Sequence, residues 1–307
     1  MTETAVSSTT TESPSVKASR ALSSTTTGWI FGFIGVLIFS GSLPATRMAV
    51  ADLDPIFITV GRATLAGLVG LALLLLFREK RPARADLVPL LITAFGVVIG
   101  FPLFTGLALR HINAAHSIVY IGLLPLSTAT FGVWRGGERP RPLFWLFSIF
   151  GAALVAGFAL SQSLGGSFIG DLLMLAAIIT CGLGYAEGAA LSRRLGGWQV
   201  ISWALVIALP LMITLALITM PADFSTVTTG AWIAFGYVSL FSMMIGFIFW
   251  YRGLAQGGIA AVGQLQLLQP FFSLMLAATV LHESIQWSMI VVTAVVALCV
   301  AGAKRYA

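Results

Sequence analysis

The sequence predicts an all-α integral membrane protein of ten transmembrane helices, built as two inverted five-helix repeats. Of its 307 residues, 58% are hydrophobic and only 9% are charged, whereas a soluble domain carries about 25% charged residues. Apolar runs of roughly 17 to 25 residues, the length that crosses a bilayer as a helix, recur along the chain. One phrase occurs twice, as LLPLSTATFGVWRGGE at residues 123–138 and as LQPFFSLMLAATVLHE at residues 268–283.

The elements follow in chain order. Residues 1–27 are rich in Ser and Thr and lack an apolar period, which predicts a disordered cytoplasmic tail. Ten apolar runs come after it, at approximately residues 28–48, 54–77, 87–108, 114–134, 144–161, 171–192, 198–220, 231–251, 259–281 and 286–303. Runs one to five form the first predicted repeat, residues 28–161, and runs six to ten form the second, residues 171–303. The alternative for the first run is a signal peptide cleaved after Ala49-Val50-Ala51, which would leave nine spans.

The loops predict the orientation of these helices. With the N-terminus in the cytoplasm, every Lys and Arg except Arg47, Arg62 and Arg110 falls in a cytoplasmic segment, as the positive-inside bias requires. The net charge of +6 is therefore explained by the basic residues of the cytoplasmic loops, and no nucleic-acid partner is predicted. Most Trp residues, Trp250 among them, fall near the ends of runs, as in an aromatic belt, and Trp203 lies deeper.

The repeated phrase sets a Pro and a Glu thirteen residues apart in each half, as Pro125 with Glu138 and Pro270 with Glu283. Because five crossings reverse the direction of entry, the first phrase is predicted to end in the cytoplasm and the second outside. This explains why the Arg-rich WRGGERPR ends the first phrase whereas LHESIQ ends the second. Weak internal similarity is typical of inverted repeats, and chance recurrence in apolar sequence is the alternative.

Three further stretches carry a family resemblance: FSGSLPATRMA (39–49), DPIFITVGRATLAGL (54–68) and GDLLMLAAIITCGLGYAEGAALSRR (170–194). With the two Pro–Glu phrases, they make residues 28–303 similar to the EamA-type family of the drug/metabolite transporter superfamily. The resemblance implies a multi-pass carrier of the bacterial inner (plasma) membrane that exports amino acids or other small metabolites from a central cavity. The loop charges predict that both of its termini are cytoplasmic. The family's first helix often carries Trp-Gly-Ser/Thr-Asn where this chain has Phe39-Ser40-Gly41-Ser42.

Glu187 is the outstanding polar residue inside an apolar run. A central charge costs about 2.5–3.5 kcal/mol on insertion scales, so such residues are functional candidates. Glu187 shares a helix face with Thr180 and Gly184, and apolar surroundings would raise its pKa toward neutrality, which suits proton coupling. Protons are therefore a candidate coupling ion. The alternative is an ion pair with Arg193 at the cytoplasmic interface.

Arg62 is a second candidate, because it lies two turns into the second run. A guanidinium facing a cavity could hold a substrate carboxylate through two hydrogen bonds. The alternative is that its side chain snorkels to the outer surface, beside Asp52, Asp54 and Arg47.

The fourth and ninth runs carry further candidates. His116 is a candidate because an unperturbed histidine changes charge near physiological pH, and Tyr120 lies deeper on the same helix face. Gln266 and Gln269 share a face of the ninth run and need partners in a neighbouring helix or in a ligand. The full predicted substrate-binding set is Ser40, Ser42, Arg62, His116, Tyr120, Tyr185, Glu187, Gln266 and Gln269.

Pro125 and Pro270 each remove a backbone hydrogen bond in mid-helix, so they are predicted kinks that act either as hinges of alternating access or as static bends. The sequence contains no metal-ligand, cofactor or nucleophile motif, so neither a metal, a cofactor nor enzyme activity is predicted. The leading class is a secondary transporter, with a small-molecule substrate and the lipid bilayer as partners. The alternatives are an uncoupled facilitator, a drug or toxic-compound exporter and, less favoured, an intramembrane enzyme or a sensor.

Overall fold

The computed structural model describes residues 14–108, 110–112, 120–161, 167–281 and 287–307. Across these residues all regular secondary structure is helical, as the composition predicts. Six helices in this part of the chain are long and apolar enough to cross a membrane, and a shorter apolar helix covers Pro142–Phe158. The all-helical membrane fold is therefore confirmed, and the full set of ten spans stays a prediction.

We number the helices in chain order. In the first half, up to residue 161, they are α1 (Pro14–Ser40), α2 (Ser42–Ala49), α3 (Pro55–Leu76), α4 (Arg84–Thr93), α5 (Phe101–Ala108), α6 (Leu124–Gly136) and α7 (Pro142–Ser161). In the second half, from residue 167, they are α8 (Phe168–Leu195), α9 (Gly197–Ile218), α10 (Thr229–Gly236), α11 (Gly246–Gly257), α12 (Ile259–Gly263), α13 (Gln269–Leu281) and α14 (Trp287–Tyr306). The π-helical segments Ala94–Gly100 and Tyr237–Ile245 and the 3₁₀ segment Gln264–Leu268 connect consecutive α-helices.

The first helix starts earlier than the composition suggests. α1 begins at Pro14, so residues 14–27 of the expected tail belong to a helix, and residues 1–13 lie outside the described residues. The Ala, Ser, Lys and Arg of this stretch tolerate a helical backbone even though they show no apolar period. The apolar part of this span begins at about Thr25.

Interruptions of the α-helices recur at matching places in the two halves. The π segment Ala94–Gly100 joins α4 to α5, and the π segment Tyr237–Ile245 joins α10 to α11. α6 and α13 each begin one residue before a proline, Pro125 and Pro270 respectively. The two prolines therefore lie at breaks between helical segments. Local departures from α-helical geometry of this kind are frequent at functional sites.

The most extensive helix contacts join one half of the chain to the other. α1 packs along α11, α3 along α9, α6 along α8, and α7 along α14. α4, α5 and the π segment between them also pack against α8. The main hydrophobic core consequently lies between the halves, where Val36, Ile178, Leu205 and Trp250 are fully buried.

Glycines permit the closest of these contacts. A Cβ atom at Gly253 of α11 would lie 2.7 Å from the Cα atom of Gly32 in α1. A Cβ atom at Gly96 would lie 2.8 Å from the Cα atom of Gly184 in α8. Larger side chains would push these backbones apart, so small residues are required at both crossings. The two crossings involve α1 and α8, the helices that open the two halves.

Candidate functional site

Four aromatic and amide side chains lie buried between the two halves. Tyr185 belongs to α8, Trp250 and Tyr251 to α11, and Gln266 to the 3₁₀ segment; we call these four residues the central cluster. The ring centroids of Tyr185 and Trp250 are 5.6 Å apart, and the Tyr185 hydroxyl lies close to the Gln266 amide. The Tyr251 hydroxyl donates to the carbonyl oxygen of Gly184 at 3.3 Å. The cluster thus combines rigid aromatic walls with a few polar groups.

Several buried polar atoms at this cluster have no hydrogen-bond partner among the described residues. They are Nε1 of Trp250, Oε1 of Gln266 and Oε1 of the neighbouring Gln264. Buried polar atoms in proteins are normally hydrogen-bonded, and each one left unpaired costs about 1–3 kcal/mol. One donor and two acceptors are therefore available to a polar molecule in mainly apolar surroundings, which is typical of a small-molecule site.

Glycines of the neighbouring helices shape the space around the cluster. A Cβ atom at Gly188 of α8 would collide with the Tyr251 ring, and a Cβ atom at Gly35 of α1 would lie 3.1 Å from the backbone nitrogen of Trp250. Both aromatic side chains lie on α11, between α1 and α8, because these glycines let the three helices approach closely. The four residues of the cluster thus belong to the second half, and α1 of the first half packs closely against them at Gly35.

The break between α1 and α2 forms a second polar region. The Ser40 hydroxyl donates to the carbonyl oxygens of Val36 at 2.7 Å and Gln269 at 3.4 Å. The Ser42 and Ser242 hydroxyl oxygens are 2.7 Å apart. The Tyr237 hydroxyl donates to the Ile38 carbonyl oxygen at 2.9 Å. These bonds fasten the broken first span to the π segment Tyr237–Ile245 and to α13.

In the described part of the chain, the structure shows no hydrogen bond or ion pair between Arg62 and the acidic residues that the snorkelling alternative places beside it. Its Nε atom is buried and has no hydrogen-bond partner among the described residues. Asp54 instead caps α3 by accepting from the backbone nitrogens of Ile56 at 2.8 Å and Phe57 at 3.0 Å. Asp52 accepts from the backbone nitrogen and hydroxyl of Thr228. The two acids named in the snorkelling alternative are thus engaged with other groups.

Glu187 is buried and forms an ion pair with Arg135 of α6. Arg193, the partner expected from the sequence, instead contacts Glu138 at 3.0 Å. The sequence offered several nearby cations, and only the packing of α6 along α8 selects between them. The geometry favours the structural alternative for Glu187, namely a charge held near the helix ends by an opposite charge.

A set of ion pairs near Glu187 ties the two halves together at one end of the molecule. It consists of Arg135–Glu187, Glu138–Arg193 and Asp86–Arg194, and we call it the charged seal. Glu138 also accepts from the backbone nitrogens of Ile259 at 2.6 Å and Ala260 at 2.7 Å, at the start of α12. A carboxylate at a helix N-terminus satisfies free amides and the helix dipole. Glu138 is thus an anchor between helices of the two halves.

The opposite end is joined by different contacts. Tyr120 forms a hydrogen bond with Asp171 in the first turn of α8. Ile112 and Met174 pack beside Tyr120. Tyr120 therefore bridges the two halves near this end, away from the charged seal. The candidate His116 lies outside the described residues.

Comparison with known proteins decides the family. The model of the EamA-like transporter family matches residues 26–160 and 168–303. The chain belongs to the EamA-like transporter family. The EamA-like architecture is one of two repeats, and the two matched segments lie within a few residues of the repeats predicted from the sequence.

Relatives of this EamA-like chain are named as transporters. The chain is 64% identical over 286 residues to the uncharacterized transporter YdeK of Bacillus subtilis (strain 168), covering 93% of this chain and 100% of that one. It is 23% identical over 254 residues to an uncharacterized transporter of Archaeoglobus fulgidus, covering 81% and 87% of the two chains. A protein crystal structure matches the fold with a TM-score of 0.77 at 19% identity, over 91% of this chain and 99% of the other.

The family membership confirms the resemblance found in the sequence. It establishes a multi-pass membrane transporter whose substrate is unspecified, and it agrees with the prediction that the chain is not an enzyme. The names of the relatives give no substrate, so the identity of the transported compound must be inferred from the site.

The sequence did not identify every residue of the central cluster. Trp250 was assigned to an aromatic belt, and that interpretation was wrong because the side chain is fully buried in the core. A Trp near the end of a span can face the protein interior when the helix continues, and α11 runs on to Gly257. The adjacent Trp250-Tyr251 pair, on a helix that also carries Gly253 and Gly257, was the signal that could have placed it.

Proposed function

We propose that this EamA-like transporter exports a small polar metabolite, such as an amino acid or a similar compound, across the bacterial inner membrane by alternating access. The observation that carries the proposal is the set of unpaired buried atoms at Trp250, Gln264 and Gln266, located between the two halves. The polar groups of a small ligand would satisfy these atoms, and the ligand would be enclosed by helices that must move relative to one another. Sites at the interface of two repeats are general in secondary transporters.

The ten-helix inverted arrangement is part of the same proposal. Three observations support it: the matched segments, the helix breaks at Pro125 and Pro270, and the π segments at corresponding places in the two halves. Five spans per half would reverse the second repeat, with repeat limits near residues 28–161 and 171–303. A two-fold axis in the membrane plane would then relate the halves.

The orientation follows from the basic residues. Arg135, Arg193 and Arg194 all lie in the charged seal, at one end of the molecule. The positive-inside bias would place this end in the cytoplasm, together with both termini. In this orientation the seal closes the cytoplasmic side, and substrate would enter when its ion pairs separate.

An export screen tests the proposed function. Cells with and without the protein are grown on a panel of toxic amino acid analogues, and export of each protective hit is then measured directly. The central cluster predicts that Trp250→Phe, which removes the Nε1 donor but keeps an aromatic ring, lowers export at least about tenfold through the loss of one buried hydrogen bond to the substrate.

Normal abundance of the Trp250→Phe variant in the membrane is the control for folding. Trp134→Phe is the matched control substitution, because Trp134 is exposed on α6 and lies outside the central cluster. Export by Trp250→Phe at the wild-type rate would contradict the central cluster as the substrate site. If the protein protects cells from unrelated toxic compounds but from none of the amino acid analogues, the drug-exporter alternative is favoured.

An uncoupled facilitator is the second candidate, and one observation favours it. The Glu187 carboxylate is already engaged by the Arg135 guanidinium in an ion pair. A carboxylate held in this way is poorly suited to carry a proton in each cycle, so proton coupling through Glu187 would require the pair to open.

A further inference from the structure

Arg62 is a partly buried cation within a membrane span, and its Nε atom is fully buried. α3 is among the helices long and apolar enough to cross a membrane. Arg62 shares a helix face with Ala66 and Val69, at i+4 and i+7. Ala66 is fully buried, and Val69 packs against the main core between the two halves. This face of α3 therefore points into the protein, and Arg62 points with it.

No group in the described part of the chain neutralises this cation. The buried Nε atom has no hydrogen-bond partner there. The carboxylates described in the structure have other partners. They are Asp52 and Asp223 in loop turns, Asp54 at the start of α3, Glu79 with Gln199, Asp171 with Tyr120, and Asp86, Glu138 and Glu187 in the charged seal.

An uncompensated guanidinium is strongly disfavoured in a low-dielectric interior. Charged residues inside membrane spans usually pair with another protein group or mark the pathway of a substrate or an ion. Because the described residues supply no counter-ion, an anion brought in from outside the chain is the simplest partner.

The neighbourhood of Arg62 connects it to the broken first span. α3 packs against the π segment Tyr237–Ile245. Gly61, the residue before Arg62, faces the ring of Phe235, with 3.1 Å between an ideal Cβ atom and that ring. The same π segment binds α1 and α2 through Tyr237 and Ser242. Arg62 thus lies near the level at which the first span breaks and presents polar groups between the halves.

We infer that Arg62 is an anion subsite that receives a carboxylate of the transported compound, so that substrates of this protein carry at least one acidic group. The inference rests on the proposed function and narrows its substrate class. A guanidinium matches a carboxylate through two parallel hydrogen bonds, with Nε as one of the donors. The polar atoms of the central cluster would recognise the uncharged part of the same class of compound.

The first test measures thermal unfolding of the purified ligand-free protein in detergent. Arg62→Met keeps the aliphatic stem and removes the unpaired charge, so its unfolding temperature is expected to rise by about 2–4 °C. Arg135→Met is the matched control, and it is expected to lower the unfolding temperature because it leaves buried Glu187 without its partner. A fall for Arg62→Met equal to that for Arg135→Met would mean that Arg62 has a structural counter-ion, and would overturn the inference.

The second test measures which compounds raise the unfolding temperature. The probes are leucine, methionine, phenylalanine and threonine, each beside its carboxamide, followed by the monocarboxylates butyrate and phenylacetate beside their amides. At least one acid is expected to stabilise the wild type where its amide does not. The concentration that gives half of this shift is expected to rise about tenfold or more in Arg62→Met, and less in Arg62→Lys, which keeps a charge but loses the planar fork.

The outcomes separate this inference from the proposed function. If only the monocarboxylates act and Arg62→Met abolishes their effect, the amino-acid assignment fails and the anion subsite stands. Equal stabilisation by acids and amides, an unchanged response of Arg62→Met, or stabilisation by chloride with none from any carboxylate would each overturn the subsite. Export of an amino acid by a protein that fails these tests would leave the proposed function intact.

Discussion

Two charged residues inside the spans, Glu187 and Arg62, differ in how their charge is compensated. Glu187 pairs with Arg135, whereas the Nε atom of Arg62 has no partner among the described residues. A paired charge contributes to the arrangement of helices, and an unpaired one is available to a ligand. Under the inference drawn above, Glu187 belongs to the scaffold and Arg62 to the substrate pathway.

Replacing Glu187 tests its assignment. Glu187→Gln is expected to leave the pH profile of transport in vesicles unchanged and to lower the free energy of unfolding by about 1–3 kcal/mol. This is less than for a fully buried pair, because 40% of the Arg135 side chain is exposed and its charge is partly solvated. The double variant Glu187→Gln with Arg135→Gln is expected to recover part of the loss. A flattened pH profile in the single variant would instead assign proton coupling to Glu187.

At the scale of single elements, the helices are shaped by close backbone contact and by local departures from α-helical geometry. Gly32 and Gly253 allow α1 and α11 to touch, while the two π segments sit where polar groups and glycines gather. A straight α-helix would turn the side chains beyond each π segment to a different face. These irregular stretches therefore help to aim side chains at the space between the halves.

A glycine substitution tests the contact between α1 and α11. Gly253→Ala places a Cβ atom 2.7 Å from the Cα atom of Gly32, and it is expected to cost about 1–3 kcal/mol of stability through forced backbone shifts. Gly236→Ala is the control, because its Cβ atom would meet nothing within 4 Å, and alanine favours the helix by about 0.5–1 kcal/mol. Denaturant or thermal unfolding in detergent distinguishes the two. Equal stability of both variants would contradict the close contact.

Sequence patterns were informative about these elements to different degrees. The apolar runs, the two prolines and the family resemblance were visible because they are local or repeat at a fixed distance. The partner of Glu187 and the burial of Trp250 were not, because each depends on which helices pack together. The start of α1 at Pro14 was missed because a polar helix has no apolar period to reveal it.

At the scale of the whole molecule, the two halves are held together differently at their two ends. The charged seal joins them through ion pairs at one end, and Tyr120 with Asp171 joins them at the other. Alternating access requires the contacts of one end to open while those of the other close. The charged seal is therefore the expected barrier to substrate on its own side.

Labelling of Cys181 tests this barrier. Cys181 is buried on α8 and lies close to the Tyr185 hydroxyl, and Cys299→Ser removes the other thiol. In that background, Glu138→Gln with Arg193→Gln is expected to increase the rate of reaction with N-ethylmaleimide several-fold, because opening of the seal exposes the thiol. Arg305→Gln, which removes a cation outside the seal, serves as the control. An unchanged rate in the double variant would show that the seal does not govern access.

The pairing of helices across the halves has one more consequence. Since α1, α3, α6 and α7 each find their main partner in the other half, neither half could bury its own interior face alone. The two halves therefore resemble the subunits of an obligate dimer that are joined in one polypeptide, and their sequences are free to diverge. A residue such as Arg62 then needs no counterpart in the other half. Under the proposed function, the first half can bind the carboxylate of the substrate while the second half supplies the aromatic side chains of the central cluster.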